Sequence, residues 1–366
     1  MRRTTNALTR AASSQRFVRL TTSGATFAPI VELAGGSAAV VRWTVEETRE
    51  VFTGVSPSIN FGSAANRHVR LSVVGGRGLA DITTLNLGFL STQDSGSYNL
   101  GSGYDHVSQG VTAVESLTFM TGLRRFLAAQ TTGTTASPLA GTVDVTGLSS
   151  LEHLECYNAR IQSVNLTGCT SLMRLCVESN NLSILDLNPV AGSLYDLRAA
   201  GQQGGSLEFV PLDVDLAHIY HFCVTYQTVI GLPPLLRMPV LEELLVFNTG
   251  QSGALTPTSA ALSSLAAENN AYTSLNVSGL FQSDWSSLSL HNNALTAVDL
   301  TDCHGLFNID LSNNNLSQAV VDSVLTEVDS WGTSSHTLNL SSNAAPSGTG
   351  QFHLAALSSR GWTTTV

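Results

Sequence analysis

The chain has 366 residues, of which 43% are apolar and only 12% charged, with a formal net charge of −10. This composition excludes a disordered, highly charged chain, which needs many charges and few apolar residues. No apolar run approaches the roughly 18 residues of a membrane span. The acidity argues against nucleic acid binding along the body, because phosphate contacts need clustered Lys and Arg, and the chain contains no lysine.

Arg2, Arg3, Arg10, Arg16 and Arg19 all precede the first acid, Glu32. The first thirty residues carry no apolar signal-peptide core. Residues 1–20 are therefore expected to be a basic arm that docks on an acidic neighbouring subunit. Phe17-Val-Arg-Leu, Ile30-Val-Glu-Leu, Val40-Val-Arg-Trp, Ser56-Pro-Ser-Ile-Asn-Phe and His68-Val-Arg-Leu-Ser-Val are short alternating strands divided by Gly, Ser and Pro. They predict a small β-sandwich over 21–78. It resembles the PKD-like modules that precede leucine-rich repeats in bacterial and phage proteins, although Trp43 is followed by Thr-Val-Glu-Glu instead of the usual Gly-Asp-Gly. Residues 79–147 read as irregular first coils, around Ile82, Leu85, Leu87, Leu123, Phe126 and Ala128. A Gly/Ser-rich surface loop over 91–110 separates the two sets.

From about 148 the sequence repeats every 21 to 23 residues, with one longer interval. One copy is Leu172, Leu175, Val177, Asn180, Leu182, Leu185, Leu187; others start at Leu151, Leu262, Leu288 and Leu306. Degraded copies lie at Leu194/Leu197/Ala199 and Leu241/Leu244/Val246, and a partial one at Leu338/Leu340/Asn343. The pattern resembles the leucine-rich repeat family, whose coils of 20–29 residues stack into a strand-lined solenoid. The resemblance covers roughly 80–345 and implies a mainly β solenoid over 148–316.

The physics points the same way. Alternating leucines face one side of a short strand, and stacked coils bury what one coil cannot. The asparagine falls where the chain turns, so its amide can pair backbone groups left inside. About ten coils would extend roughly 50 Å at ~4.8 Å per strand. A second LxL ends each repeat, with Asn165, Asp186, Asn276 or Asp299 facing outward. It predicts a flatter second sheet with turn hydrogen bonds at those residues; a calcium loop would cluster its acids within one segment. Five cysteines without paired spacing predict buried structural thiols.

The C-terminal cap is expected over 317–366. Val320, Val321, Val324, Leu325, Val328 and Trp331 have helical spacing. A second short helix is expected at 350–359, followed by Trp362. The runs Asn339-Leu-Ser-Ser-Asn-Ala-Ala-Pro and Arg360-Gly-Trp-Thr look like the C-terminal cap of bacterial and phage repeat proteins.

The sequence holds no P-loop, GxSxG elbow or complete GxGxxG. His218, His221 and Cys223, near Asp213 and Asp215, fall short of the four convergent ligands of structural zinc. No metal, cofactor or catalytic set is expected. The outward strand positions are the expected binding surface, with Tyr157, Glu178, Arg198, Tyr220, Phe222, Leu245 and Phe247 as its centre. A one-residue slip around Ile219–Phe222 would bury the aromatics instead.

The resemblance implies a non-enzymatic phage virion protein that is tail-associated, receptor-binding or capsid-decorating. Its arm and sandwich would contact other virion subunits, and its solenoid a host surface protein or glycan. The alternative is a bacterial cell-surface or secreted adhesin built from the same repeats.

Overall fold

The structure is a computed structural model that describes residues 17–87, 111–115, 117–128, 141–283 and 285–366. The fold is mainly β, and a thirteen-stranded sheet dominates it. The strands of that sheet are parallel except Ile30–Leu33, which lies at one edge antiparallel to Ile82–Asn86. The chain adds one strand and returns, over and over. Leu85, Phe126, Leu154, Leu175, Leu197, Phe222, Leu244, Leu265, Leu288, Ile309 and Leu338 stand in register across successive strands. Each is at most 1% exposed. This column is the spine of a solenoid-like core, and each coil supplies one face of the next coil's burial.

Behind it, the second LxL segments form smaller parallel sheets. One pairs Gly141–Asp144 with Ile161–Asn165, and another joins Ile184–Leu185, Ser206–Phe209 and Thr228–Ile230. A third joins Ser252–Leu255, Ala271–Asn276 and Ala297–Asp299. The expected second sheet is thus present, in three pieces. The outward Asn and Asp residues close turns: Asn165, Asp186, Asn276 and Asp299 accept from the backbone N–H two residues on, at 2.9 to 3.1 Å. These bonds match the turn reading of that column.

The inner corner of each coil is held by a side-chain amide. Asn180 Oδ1 accepts from the N–H of Ala159 (2.9 Å) and Ile161 (3.2 Å), while its Nδ2 donates to the carbonyls of Cys156 and Val177. Asn270, Asn293, Asn314 and Asn343 repeat this bridge between a coil and the one before it. The residue before the amide takes the left-handed conformation, as at Asn269 (φ 57°), Asn292 (φ 56°) and Asn313 (φ 52°). Asparagine tolerates that region better than most residues. In the coils of Leu197 and Phe222 the job passes to glutamine. Gln202 accepts from Leu182 N–H and donates to the Val177 and Ala199 carbonyls, and Gln227 accepts from Gln202 N–H.

All five cysteines are buried free thiols. Cys169 and Cys303, which share a sequence context, both donate to a carbonyl of the preceding coil, that of Val145 (3.2 Å) and Val277 (3.0 Å).

At the C-terminal end, helix Gln318–Ser330 buries Val321, Val324, Leu325 and Val328. Helix Gly348–Ser359 packs beside it, joined through Ser347, whose N–H and hydroxyl both donate to Asp322. Trp362 is 4% exposed, and Thr363–Thr365 closes the large sheet.

At the other end is a five-stranded antiparallel sheet in the order Val51–Thr53, Val40–Val45, Arg67–Val74, Phe17–Thr22, Val111–Val114. Alternation along Val41, Trp43 and Val45 buries one face, and Trp43 Nε1 donates to the Gly54 carbonyl at 3.0 Å. This sheet recruits Val111–Val114 from beyond the expected 21–78 span, whereas Ile30–Leu33 pairs into the large sheet. Arg19 lies within the first strand, 2.7 Å from Glu46, and is therefore a sheet residue. Arg2, Arg3, Arg10 and Arg16 lie outside the described residues, as does the 91–110 loop.

Candidate binding surface

Each strand of the large sheet sends one residue inward and presents its two neighbours on the other face. Two outward columns therefore run across the sheet, and their chemistry changes along it. In the middle they read His153/Glu155, Arg174/Cys176, Asp196/Arg198, His221/Cys223 and Glu243/Leu245. Further on they become Ser264/Ala266, Ser287/Ser289, Asn308/Asp310 and Thr337/Asn339. The first set is ionic; the second is small and polar.

The ionic set is knitted together across strands. Arg174 Nε lies 3.6 Å from Glu155 and 3.4 Å from Asp196. Arg198 Nε reaches Asp196 at 3.1 Å. His221 Nδ1 is 2.8 Å from Asp196 Oδ1, and its Nε2 is 3.1 Å from Glu243 Oε2. Burial here is unusual for charged groups: Asp196 is 2% exposed, Arg198 1% and His221 2%. Burial alone would push the Asp196 carboxyl up. The His221 hydrogen bond and the Arg198, His221 and Arg174 charges outweigh it and hold that carboxyl below its ordinary range. The His221 bond likewise lowers Glu243 against its burial. Glu178 goes the other way, because burial outweighs the Arg198 charge. Burial keeps the thiols protonated as well, with Cys223 pushed up to about 12 and Cys176 well above its ordinary value.

The expected surface residues divide into three groups. Glu178 and Arg198 belong to the ionic cluster. Leu245 is an outward strand position, half-buried, and Tyr157 and Phe247 are half-buried just beyond their strands. Phe247 packs edge-on against the exposed Tyr226, their ring centroids 5.0 Å apart. Tyr220 precedes its strand and stacks on Tyr195, with centroids 5.0 Å apart and planes 10° from parallel.

Phe222 corrects the expectation. It is fully buried, in register with Leu197 and Leu244, and packs against Phe209. A buried phenylalanine side chain contributes about 1.5–3 kcal/mol over an exposed one, so the strand settles with Phe222 in the leucine place. That register puts His221 and Cys223 on the outward face and leaves His218 exposed outside the strand.

Sequence reasoning missed Glu243 and the pairing of Asp196 with His221. The available signal was the register itself: once Phe222 replaces a leucine, the residues flanking Leu197, Phe222 and Leu244 become neighbours. Among the described residues, no group of three or more His, Cys, Asp and Glu side chains is placed to hold a metal ion. Among the same residues, no helix is long and apolar enough to cross a membrane. Comparison with family models and with curated proteins gives no match to the chain.

Proposed function

We propose that this chain is a leucine-rich repeat protein of the bacterial and phage type, with a PKD-like module before its repeats. We propose further that it acts as a non-enzymatic subunit of a phage particle, tail-associated, receptor-binding or capsid-decorating. The observation that carries the reading is the outward wall of the thirteen-stranded sheet, with an ionic ledge at its middle and mostly small polar residues beyond it.

The ledge favours contact over catalysis. His221 and Asp196 are arranged like the base and orienting acid of a hydrolase. The far ring nitrogen, however, meets the Glu243 carboxylate and not a hydroxyl or thiol. A nucleophile needs a base within reach and an accessible ionised form, and the thiols beside the ledge, Cys176 and Cys223, are held protonated by burial.

Contact by such a wall suits a partner with interleaved charges, because complementary potentials set partner choice and encounter rate. Purification of particles followed by mass spectrometry tests the reading. The chain is expected among the virion proteins. Recovery in the bacterial envelope fraction with none on particles would replace this reading with the adhesin one.

A further inference from the structure

His221 is held between carboxylates from both neighbouring strands. Asp196 Oδ1 lies 2.8 Å from Nδ1, and Glu243 Oε2 lies 3.1 Å from Nε2. A neutral imidazole has one N–H, so it can donate to one of these and must turn a lone pair toward the other. An imidazolium donates to both. The geometry therefore fits the charged ring, and losing the proton breaks one of the two bonds.

We propose that His221 is a proton-operated clamp on the ledge: protonated, it ties Asp196 and Glu243 together across three strands, and deprotonated, it releases one of them to the partner-facing side. This deepens the reading of the wall as a contact surface and rests on it. Glu243 is the group released, because its side chain is 35% exposed and water can take over its bond, whereas Asp196 is 3% exposed and also holds Arg198 and Arg174. The face then carries one more net negative charge and a free carboxylate, so its preference moves toward cationic partner groups.

The groups that bear on His221 come from both packed strands and its own. Asp196 and Arg198 stand on one side and Glu243 on the other, with Glu178 acting through space and Cys223 a neutral thiol on the same strand. Burial and the Arg198 charge oppose protonation, and the bonds to Asp196 and Glu243 outweigh them, so the His221 pKa is raised. A histidine with a raised folded pKa adds stability that is complete below its unfolded value of about 6.5. That stability is lost as pH climbs through the folded value.

The test uses the full chain without any partner, so it stands or falls separately from the virion assignment. Nitrogen-detected NMR of the histidine rings, assigned by difference with His221→Gln, is expected to show both His221 nitrogens protonated at pH 6.5. Its apparent pKa should lie above the unperturbed histidine value of about 6.5. Glu243→Gln replaces the carboxylate by a neutral amide at a half-exposed site and is expected to lower the His221 pKa by about one unit, because the opposite charge is lost. Between pH 6 and 9 the wild-type chain should lose denaturant resistance that His221→Gln does not lose. A His221 that titrates at or below about 6.5, or a pKa unmoved by Glu243→Gln, would overturn the clamp. Should His221→Gln fail to fold, the Glu243→Gln comparison decides alone.

Discussion

The coils around Asp196, His221 and Glu243 and those from Ser264 to Asn339 share an interior and differ in everything they present. Inside, both stack leucine-class residues in register and pair their turning backbone through side-chain amides, Gln202 and Gln227 in one region and Asn270, Asn293 and Asn314 in the other. Outside, one region holds a buried ionic network and the other hydroxyls and small side chains. The core and the wall are thus separable problems. The stacking constrains the inward column and the corner amide, while the outward columns are free to carry chemistry.

Substitutions can break that separation in order of severity. The largest expected loss is Asp196→Ala, which removes the shared acceptor of Arg198 and His221 in a buried setting. Breaking such a network from one side costs about 3–5 kcal/mol, measured as a drop in denaturation free energy at pH 7. Next comes Asn180→Ala, which takes away the partner of backbone groups in two coils. A buried group left unpaired costs about 1–3 kcal/mol, so a loss of about 3 kcal/mol is expected, with faster hydrogen exchange at the Ala159 and Ile161 amides. Unchanged exchange there would show that the amide does not hold the corner.

Glu178→Gln should act in the opposite direction. Burial raises the Glu178 carboxyl, so its ionised form weakens the fold above the unfolded pKa and the penalty vanishes as the group is protonated. The variant is expected to match or exceed wild-type stability at pH 7 and to lose that advantage near pH 4. A variant less stable at pH 7 would mean that the carboxylate is needed in its charged state. The smallest effect belongs to Tyr226→Ala, a 67% exposed ring with one edge-on aromatic contact. Its denaturation free energy should stay within about 0.5 kcal/mol of wild type.

Much of the interior was readable from the chain. The spacing of Leu172, Leu175 and Val177 with Asn180 specifies both which residues turn inward and which amide closes the corner. The apolar spacing from Val321 to Val328 marks the first cap helix. The glutamine corners were not readable, although Gln202 and Gln227 follow Leu197 and Phe222 at the same spacing as Asn180 follows Leu175, because a different side chain fills the place and the interval from Leu197 to Phe222 is longer than the repeat. Phe222 was misplaced because Ile219, Tyr220 and Phe222 offer two apolar registers, and the choice depends on Leu197 and Leu244 on neighbouring strands. The ionic cluster escaped for a related reason: Asp196, His221 and Glu243 lie over twenty residues apart and meet only after that register is set. The Ile30–Leu33 strand shows the same limit, since its alternation fits either sheet equally well.

The central claim is that the inward column and corner amides hold the fold, and that the ionic ledge, which we propose serves contact, does not. One comparison tests it most directly: replacing the ionic set together by apolar residues of similar volume, Met for Arg174, Arg198 and Glu243 and Leu for Asp196 and His221, and measuring denaturant unfolding beside Asp196→Ala. Replacing a whole buried ionic network by well-packed apolar residues of similar volume is often close to neutral, whereas removing one member is not. The account predicts that the fivefold variant unfolds cooperatively and retains more stability than Asp196→Ala. A fivefold variant less stable than the single one would show that the ionic ledge holds the coils together, and would contradict the division between wall and core.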